Sequence, residues 1–140
     1  MSAGKGVQHS EFNPSPSELV HLLQIWIEPN VTGIEPGYEE KYFDAASKRG
    51  RLRLIAASDG REGSVTIHKD TAVYAGLLDG AERLSHALAA GRKAYVHVAR
   101  GQVTVNGQRL AAGDALKASG ESGVVIERGS DAEVLLFDLA

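Results

Sequence analysis

The sequence contains no cysteine, and among its 140 residues it has only one methionine, one tryptophan and four prolines. Without thiols the chain has no disulfide, no zinc–thiolate site and no cysteine nucleophile. No stretch reaches the roughly 20 apolar residues that span a bilayer, and the first residues lack the apolar core of a signal peptide. We therefore expect a cytoplasmic protein that does not enter a membrane.

A strong excess of charge of one sign is also absent, and the charged fraction is ordinary for a soluble surface. The formal net charge is -3 and charged residues make up 24% of the chain, with a pI of about 5.9. Basic residues form only short clusters such as Lys48 and Arg49, so no surface for nucleic acid is expected. Apolar residues reach 43%, which is enough for a sizeable core in a chain of one-domain length.

Glycine is the abundant residue, with 16 copies spaced between short runs of alternating polarity. This pattern is typical of many short antiparallel strands and predicts an all-β sandwich or barrel of about nine or ten strands. Asn106 and Gly107 are the pair that a type I′ hairpin turn prefers. Arg100 and Gly101 separate two further strand candidates, residues 95–99 and 102–105. Residues 19–27 are the most apolar run and predict a strand buried on both faces.

Four other segments complete the prediction. Residues 81–90 contain good helix formers but also alternate at Leu84, His86 and Leu88, and the surrounding rhythm favours a strand. Residues 33–50 read as a long loop with a helical turn near residues 39–46. The chain is expected to close with two strands, at residues 124–126 and 132–137.

His9 and Glu11 are the sharpest local feature. Residues two apart on a strand share a face, so an imidazole and a carboxylate can point at one ion. This mixed set suits iron, nickel, copper, manganese or zinc. By itself His-x-Glu is a common pair, and two solvated residues near a terminus are the plain alternative.

A wider pattern surrounds this pair. The spacing Gly6-x-x-His9-x-x-x-Asn13 resembles the second conserved motif of cupins. The whole run 1–15 is similar to the segment that ends the metal site of the first barrel in pirins, and the resemblance continues through residues 21–27, 33–39 and 94–101. It implies a cupin-type double-stranded β-helix, or jelly-roll barrel. Residues 1–30 would be terminal strands from the end of a first barrel, 31–50 a connecting loop, and 51–140 the second barrel.

The resemblance also implies a metal. Pirins are bicupins whose first barrel holds a divalent first-row metal, most often iron, through a His-x-His pair and a later His and Glu. His9 and Glu11 match these last two ligands, and Glu11 would also help as a catalytic base. Some pirins are quercetin 2,3-dioxygenases, which implies a flavonol-like ligand. No His-x-His pair occurs in this sequence, and we expect that pair upstream of Met1.

The second barrel departs further from the cupin pattern. Five residues separate Gly91 from His97, as in the first cupin motif, but Ala99 replaces the second His. Leu116 stands at the ligand position of the second motif, so we expect this barrel to have lost its metal. His97 is predicted to be an interior or rim residue and His21 a core or domain-contact residue. His68 and His86 are predicted to be surface groups.

Two functions remain open at this point. The favoured one is a non-catalytic cupin module with an incomplete metal site and no cofactor of its own. The alternative is a metal-dependent dioxygenase of the quercetin 2,3-dioxygenase type, active in a longer protein or a completed assembly. Pairing of two chains through the N-terminal strand is a further possibility, since two copies of His9 and Glu11 would form a four-ligand set.

Overall fold

Eight strands, all between residues 53 and 139, form the body of the protein in a computed structural model that describes residues 1–140. The only helical elements are α1, Ala45–Lys48, and a short 3-10 turn, Arg61–Gly63. Neither is long enough to cross a membrane. The strands are β1 Arg53–Ala57, β2 Val65–Thr66, β3 Thr71–Leu78, β4 Arg83–Ala87, β5 Lys93–Val105, β6 Gln108–Ala111, β7 Ala115–Ser119 and β8 Gly123–Leu139.

The strands form one sheet in the order β2-β1-β3-β8-β5-β6, with β4 added to β8 and β7 added to β5. All neighbours are antiparallel except β1 and β2, which are parallel. The two longest strands each pair with three others, β8 with β3, β4 and β5, and β5 with β6, β7 and β8. Such long shared strands let the sheet curl into a barrel. The predicted all-β class is confirmed.

The core follows from strand periodicity. Alternate side chains of β5 and β8 point to one face, and on that face Val96, Val98, Val134 and Leu136 are fully buried. Fifteen buried apolar residues form one continuous cluster inside the barrel. Full burial of a Val or Leu side chain stabilises a fold by about 1.5–3 kcal/mol, so this cluster is the main source of the barrel's stability.

Two local predictions are confirmed. Residues 83–87 form strand β4, which pairs with β8 from Arg83 opposite Glu127 to Ala87 opposite Gly123. Asn106 and Gly107 join β5 to β6 with φ angles of 44° and 81°. Both angles lie in the left-handed region that a type I′ turn requires.

The strand separation predicted at Arg100 and Gly101 is wrong. Residues 93–105 run as one strand, β5, with an irregular register against β8 in this stretch. Gly101 has φ 69°, and a Cβ there would lie 2.3 Å from the carbonyl oxygens of Ser130 and Asp131. Glycine is therefore needed for the close approach of β8 to β5 at a register shift rather than for a turn. The two predicted final strands likewise merge into β8.

The strand predicted over residues 19–27 does not form. Leu19 is fully exposed and Trp26 is 88% exposed. A strand needs a neighbour for its backbone N–H and C=O groups, and no other segment of this chain pairs with these residues. Their apolar side chains thus remain in solvent, contrary to the predicted burial on both faces.

A few polar contacts hold residues 1–50 against the barrel. The Asn30 N–H donates to the carbonyl of His68 at 2.7 Å, and the Gly50 N–H donates to the carbonyl of Leu77 at 2.9 Å. The helical turn starts later than predicted, at Ala45, because Asp44 caps it: the Asp44 carboxylate accepts from the Ser47 N–H at 2.7 Å.

Candidate metal half-site and the barrel histidines

His9 and Glu11 lie in the N-terminal segment, in a stretch without regular secondary structure. Their side chains nevertheless face each other. His9 Nδ1 is 3.2 Å from Glu11 Oε1, and the two side chains are 36% and 57% exposed. The spacing therefore brings the two predicted ligands together at an open surface.

The distance between these two donors suits a shared ion. Nitrogen and oxygen ligands lie about 2.0–2.2 Å from a first-row ion such as zinc, so two adjacent ligands are roughly 2.9–3.4 Å apart. The observed 3.2 Å falls inside that range, and it is equally the distance of a direct contact between the imidazole and the carboxylate. However, no three His, Cys, Asp or Glu side chains of this chain come close enough together to hold an ion. The residues present thus fit half of a metal site and do not fit a complete one.

The motif predicted between Gly91 and Ala99, in the second barrel, has a different strand register from the one expected. Val96 and Val98 are the interior residues of β5 and are fully buried, so His97 and Ala99 point to the opposite face of the sheet. His97 is half-buried there, so of its two predicted places, interior or rim, the barrel interior is wrong. Leu116, at the other ligand position, is 9% exposed and belongs to the apolar core.

The remaining histidines occupy three different environments. His68 is exposed, as predicted. His21 is exposed, so the core alternative is wrong, but its Nδ1 accepts a hydrogen bond from Arg100 Nε of β5 at 3.0 Å, which agrees with the alternative of a contact residue. His86 was predicted to be a surface group, and this is wrong: only 15% of its side chain is exposed.

His86 belongs to a polar network at one end of the barrel. Its Nε2 lies 2.7 Å from Asp138 Oδ2. Because a carboxylate only accepts, Nε2 carries the proton and donates it. The Tyr74 ring packs against the imidazole with centroids 4.7 Å apart.

Arg92 completes this network from the other side. Its Nε donates to Asp138 Oδ1 and its second terminal nitrogen donates to the Asp138 carbonyl at 3.1 Å, while a third bond reaches Asp70 Oδ1 at 3.1 Å. The hydrogen bond with Asp138 is the main reason that the pKa of Arg92 is raised above its ordinary value. Asp138, 12% exposed, is thereby held between two nitrogen donors.

One sequence signal pointed to His86. Leu84 and Leu88 are buried at 2% and 7% exposure, and His86 lies between them on the same face of the alternating run. A polar residue on a core face needs a partner. In the β4–β8 ladder His86 lies opposite Val124, so its partner Asp138, at the far end of β8, is brought to it by the closure of the barrel, which the sequence pattern did not provide.

Comparison with known proteins places this chain among relatives. The family model of the quercetinase C-terminal cupin domain matches residues 54–139. Quercetin 2,3-dioxygenase from Escherichia coli strain K12 is 43% identical over 139 residues, which are 99% of this chain and 59% of that protein. The chain therefore spans about three fifths of the length of this relative.

Two crystal structures resemble the fold closely. The structure of YhhW from Escherichia coli has a TM-score of 0.76 and 38% identity, covering 82% of this chain and 48% of that one. The structure of the bacterial pirin YhhW from Escherichia coli in complex with nickel(II) has a TM-score of 0.73 and 37% identity, covering 79% and 47%. At these identities the sequences as well as the folds are similar.

Proposed function

This chain belongs to the pirin family of cupins, and from that premise we propose that it contributes one half of a divalent metal site, His9 and Glu11, and is not catalytic as an isolated polypeptide. The observation that carries the proposal is the donor pair itself, 3.2 Å apart with no third ligand beside it. An ion held by one imidazole and one carboxylate exchanges readily with solvent, because affinity falls as ligands are removed.

The comparisons support a metal in a more complete assembly. A related bacterial pirin binds nickel(II) in its crystal structure, and family resemblance favours iron. The donor chemistry of His9 and Glu11 accepts either ion. Both side chains are partly exposed, so further ligands have free access to them from outside this chain.

The alternative is an enzyme of the quercetin 2,3-dioxygenase type. A curated relative carries that name at 43% identity, which suggests a flavonol-like substrate. In this alternative the completed site performs the reaction, with Glu11 both as a ligand and as a proton acceptor. A segment that supplies the absent ligands is then required.

A complementation experiment compares the isolated chain with a completed metal site. The chain is purified alone and as a fusion with the part of the Escherichia coli quercetin 2,3-dioxygenase that it does not match. Bound metal is measured by mass spectrometry and quercetin-dependent oxygen uptake with an electrode. We expect neither stoichiometric metal nor oxygen uptake for the chain alone, and a gain of both in the fusion.

His9→Gln and Glu11→Gln test the assignment within the fusion, and His68→Gln at an exposed site is the matched control. Each of the first two should remove most of the metal, and the control should retain it. Near-equimolar metal on the isolated chain would refute the proposal. Half an ion per chain with a dimeric mass would point instead to a site shared by two copies.

A further inference from the structure

A polar cavity opens at one end of the barrel, beside the network around Asp138. Its volume is about 180 Å³, and all but one of its lining residues carry a charge or a hydroxyl group. The polar lining residues are Ser58, Arg61, Asp70, Thr71, Arg92 and Asp138. The single apolar lining residue is Ala72.

The charges of the lining cancel. Two arginines face two aspartates, so the cavity is neutral near pH 7. An anion entering here would approach the carboxylate of Asp70, which is 66% exposed, and a cation would approach Arg61, which is 45% exposed. Neither sign of charge is favoured, and an uncharged ligand meets no such repulsion.

Hydrogen-bonding capacity remains after the protein's own bonds are formed. A guanidinium has five N–H donors, and Arg92 uses three of them. Asp70 accepts through Oδ1 only. Ser58 and Thr71 add two hydroxyls, each of which can donate and accept. A ligand for this cavity therefore needs several groups that can each donate and accept hydrogen bonds.

Hydrogen bonds and ring packing hold the side chains of the lining in place. His86 fixes one oxygen of Asp138 while Arg92 fixes the other. Arg61 Nη1 donates to Asp59 Oδ1 at 3.0 Å, and the Tyr74 ring packs against His86 with the ring centroids 4.7 Å apart. His86 and Tyr74 are thus positioning residues. Such support reduces the entropy lost when a ligand binds.

We propose that this cavity binds a single-ring, uncharged, polyhydroxylated ligand, that is, a polyol of monosaccharide size. Drug-sized ligands occupy pockets of roughly 300–1,000 Å³, and this cavity is smaller. Its shortage of apolar surface disfavours a flavonol or another aromatic ring, which buries mainly carbon. The site shares no residue with His9 and Glu11, so the proposal is independent of the metal half-site.

The test is a titration of the ¹⁵N-labelled chain, followed by two-dimensional NMR, with myo-inositol and with D-glucose. Catechol serves as the aromatic control and succinate as the anionic control. We expect at least one polyol to shift the amide signals of Ser58, Asp70, Thr71 and Asp138, with a dissociation constant on the order of millimolar for a ligand this small. Catechol and succinate should shift them less.

Variants connect the binding to the lining hydroxyls. Ser58→Ala should weaken polyol binding about threefold to tenfold, the usual loss for one neutral hydrogen bond, and adding Thr71→Val should weaken it further. Ser122→Ala, at an exposed site outside the cavity, should leave binding unchanged. The proposal fails if neither polyol shifts these amides, if catechol or succinate binds more strongly, or if Ser58→Ala with Thr71→Val binds like the unmodified chain.

Discussion

Large apolar side chains occur both in residues 1–50 and in residues 53–139 of this chain. The two regions differ in whether those side chains are buried. All 26 buried residues lie between Leu54 and Asp138, whereas the large exposed apolar side chains all lie at or before Tyr42. The barrel pairs its strands in continuous ladders. The first fifty residues form only the isolated bridges Ser2–Gly37 and Arg49–Leu77.

This difference shows that hydrophobicity alone does not place a segment in a core. A strand must also pair its backbone polar groups, and without a neighbouring strand its apolar side chains cannot all leave water. The barrel satisfies both requirements within residues 53–139. The N-terminal segment satisfies neither, and contiguous exposed apolar surface is where proteins contact partners. The following predictions test this contrast.

The largest effect is expected from removing a core side chain. Leu136→Ala, at a fully buried site, should lower the free energy of unfolding by about 2–5 kcal/mol because it leaves a cavity. Leu19→Ala, at a fully exposed site, should change it by no more than about 0.5 kcal/mol. Urea denaturation measures both. A comparable loss from Leu19→Ala would mean that the N-terminal segment packs after all.

A smaller effect is expected at the barrel end. Arg92→Met removes two of the donors that Asp138 uses there, and we expect a loss of about 1–3 kcal/mol, because Asp138 is mostly buried. The matched variant is Arg83→Met, whose ion pair with Glu127 is 3.4 Å long and 64% exposed on the arginine side. It should cost about 0–1 kcal/mol. Equal losses for the two variants would contradict the importance of the buried pair.

The smallest effect concerns a contact between the two regions. Glu39 accepts from the Thr66 N–H at 2.7 Å, and its pKa is lowered chiefly by the hydrogen bond with Lys41 and then by that with Thr66. A lowered folded-state pKa means that the contact contributes at neutral pH and is lost as the pH falls through that folded value. The Thr66 amide signal in NMR should report this transition.

The midpoint of the Thr66 signal should lie below the ordinary range of a glutamate carboxyl, and Glu39→Gln should abolish the transition. A midpoint above that range would mean that the contact does not stabilise the charged carboxylate. The Glu39 side chain is 36% exposed and solvent screens its contacts, so no large change in global stability is expected.

Local pattern was sufficient for much of the barrel. The alternation at Leu84, His86 and Leu88 correctly predicted a strand over helix propensity, and Asn106 with Gly107 correctly predicted a turn, because both signals act within a few residues. The same reasoning failed at Gly101, where a glycine that permits two paired strands to approach closely was interpreted as a break. Sequence pattern alone does not distinguish these two uses of glycine.

Long-range pairing limited what could be predicted about the sites. The proximity of His9 and Glu11 was predicted from a shared strand face, but no strand forms there, and the two side chains meet in a segment without regular secondary structure. His86 and Asp138 are 52 residues apart, and their contact depends on how the closed barrel brings β4 next to the far end of β8. The interior alternative for His97 failed for a related reason: a shift of one residue in a strand moves a side chain to the opposite face.

Equilibrium dialysis of the isolated 140-residue chain against Ni²⁺ or Fe²⁺, with His9→Gln as the control, measures how completely this polypeptide can hold an ion. With only two donors, binding should be weak, reversible and lost in the control, and the dialysed protein should contain far less than one ion per chain. One tightly retained ion per monomer would contradict the account.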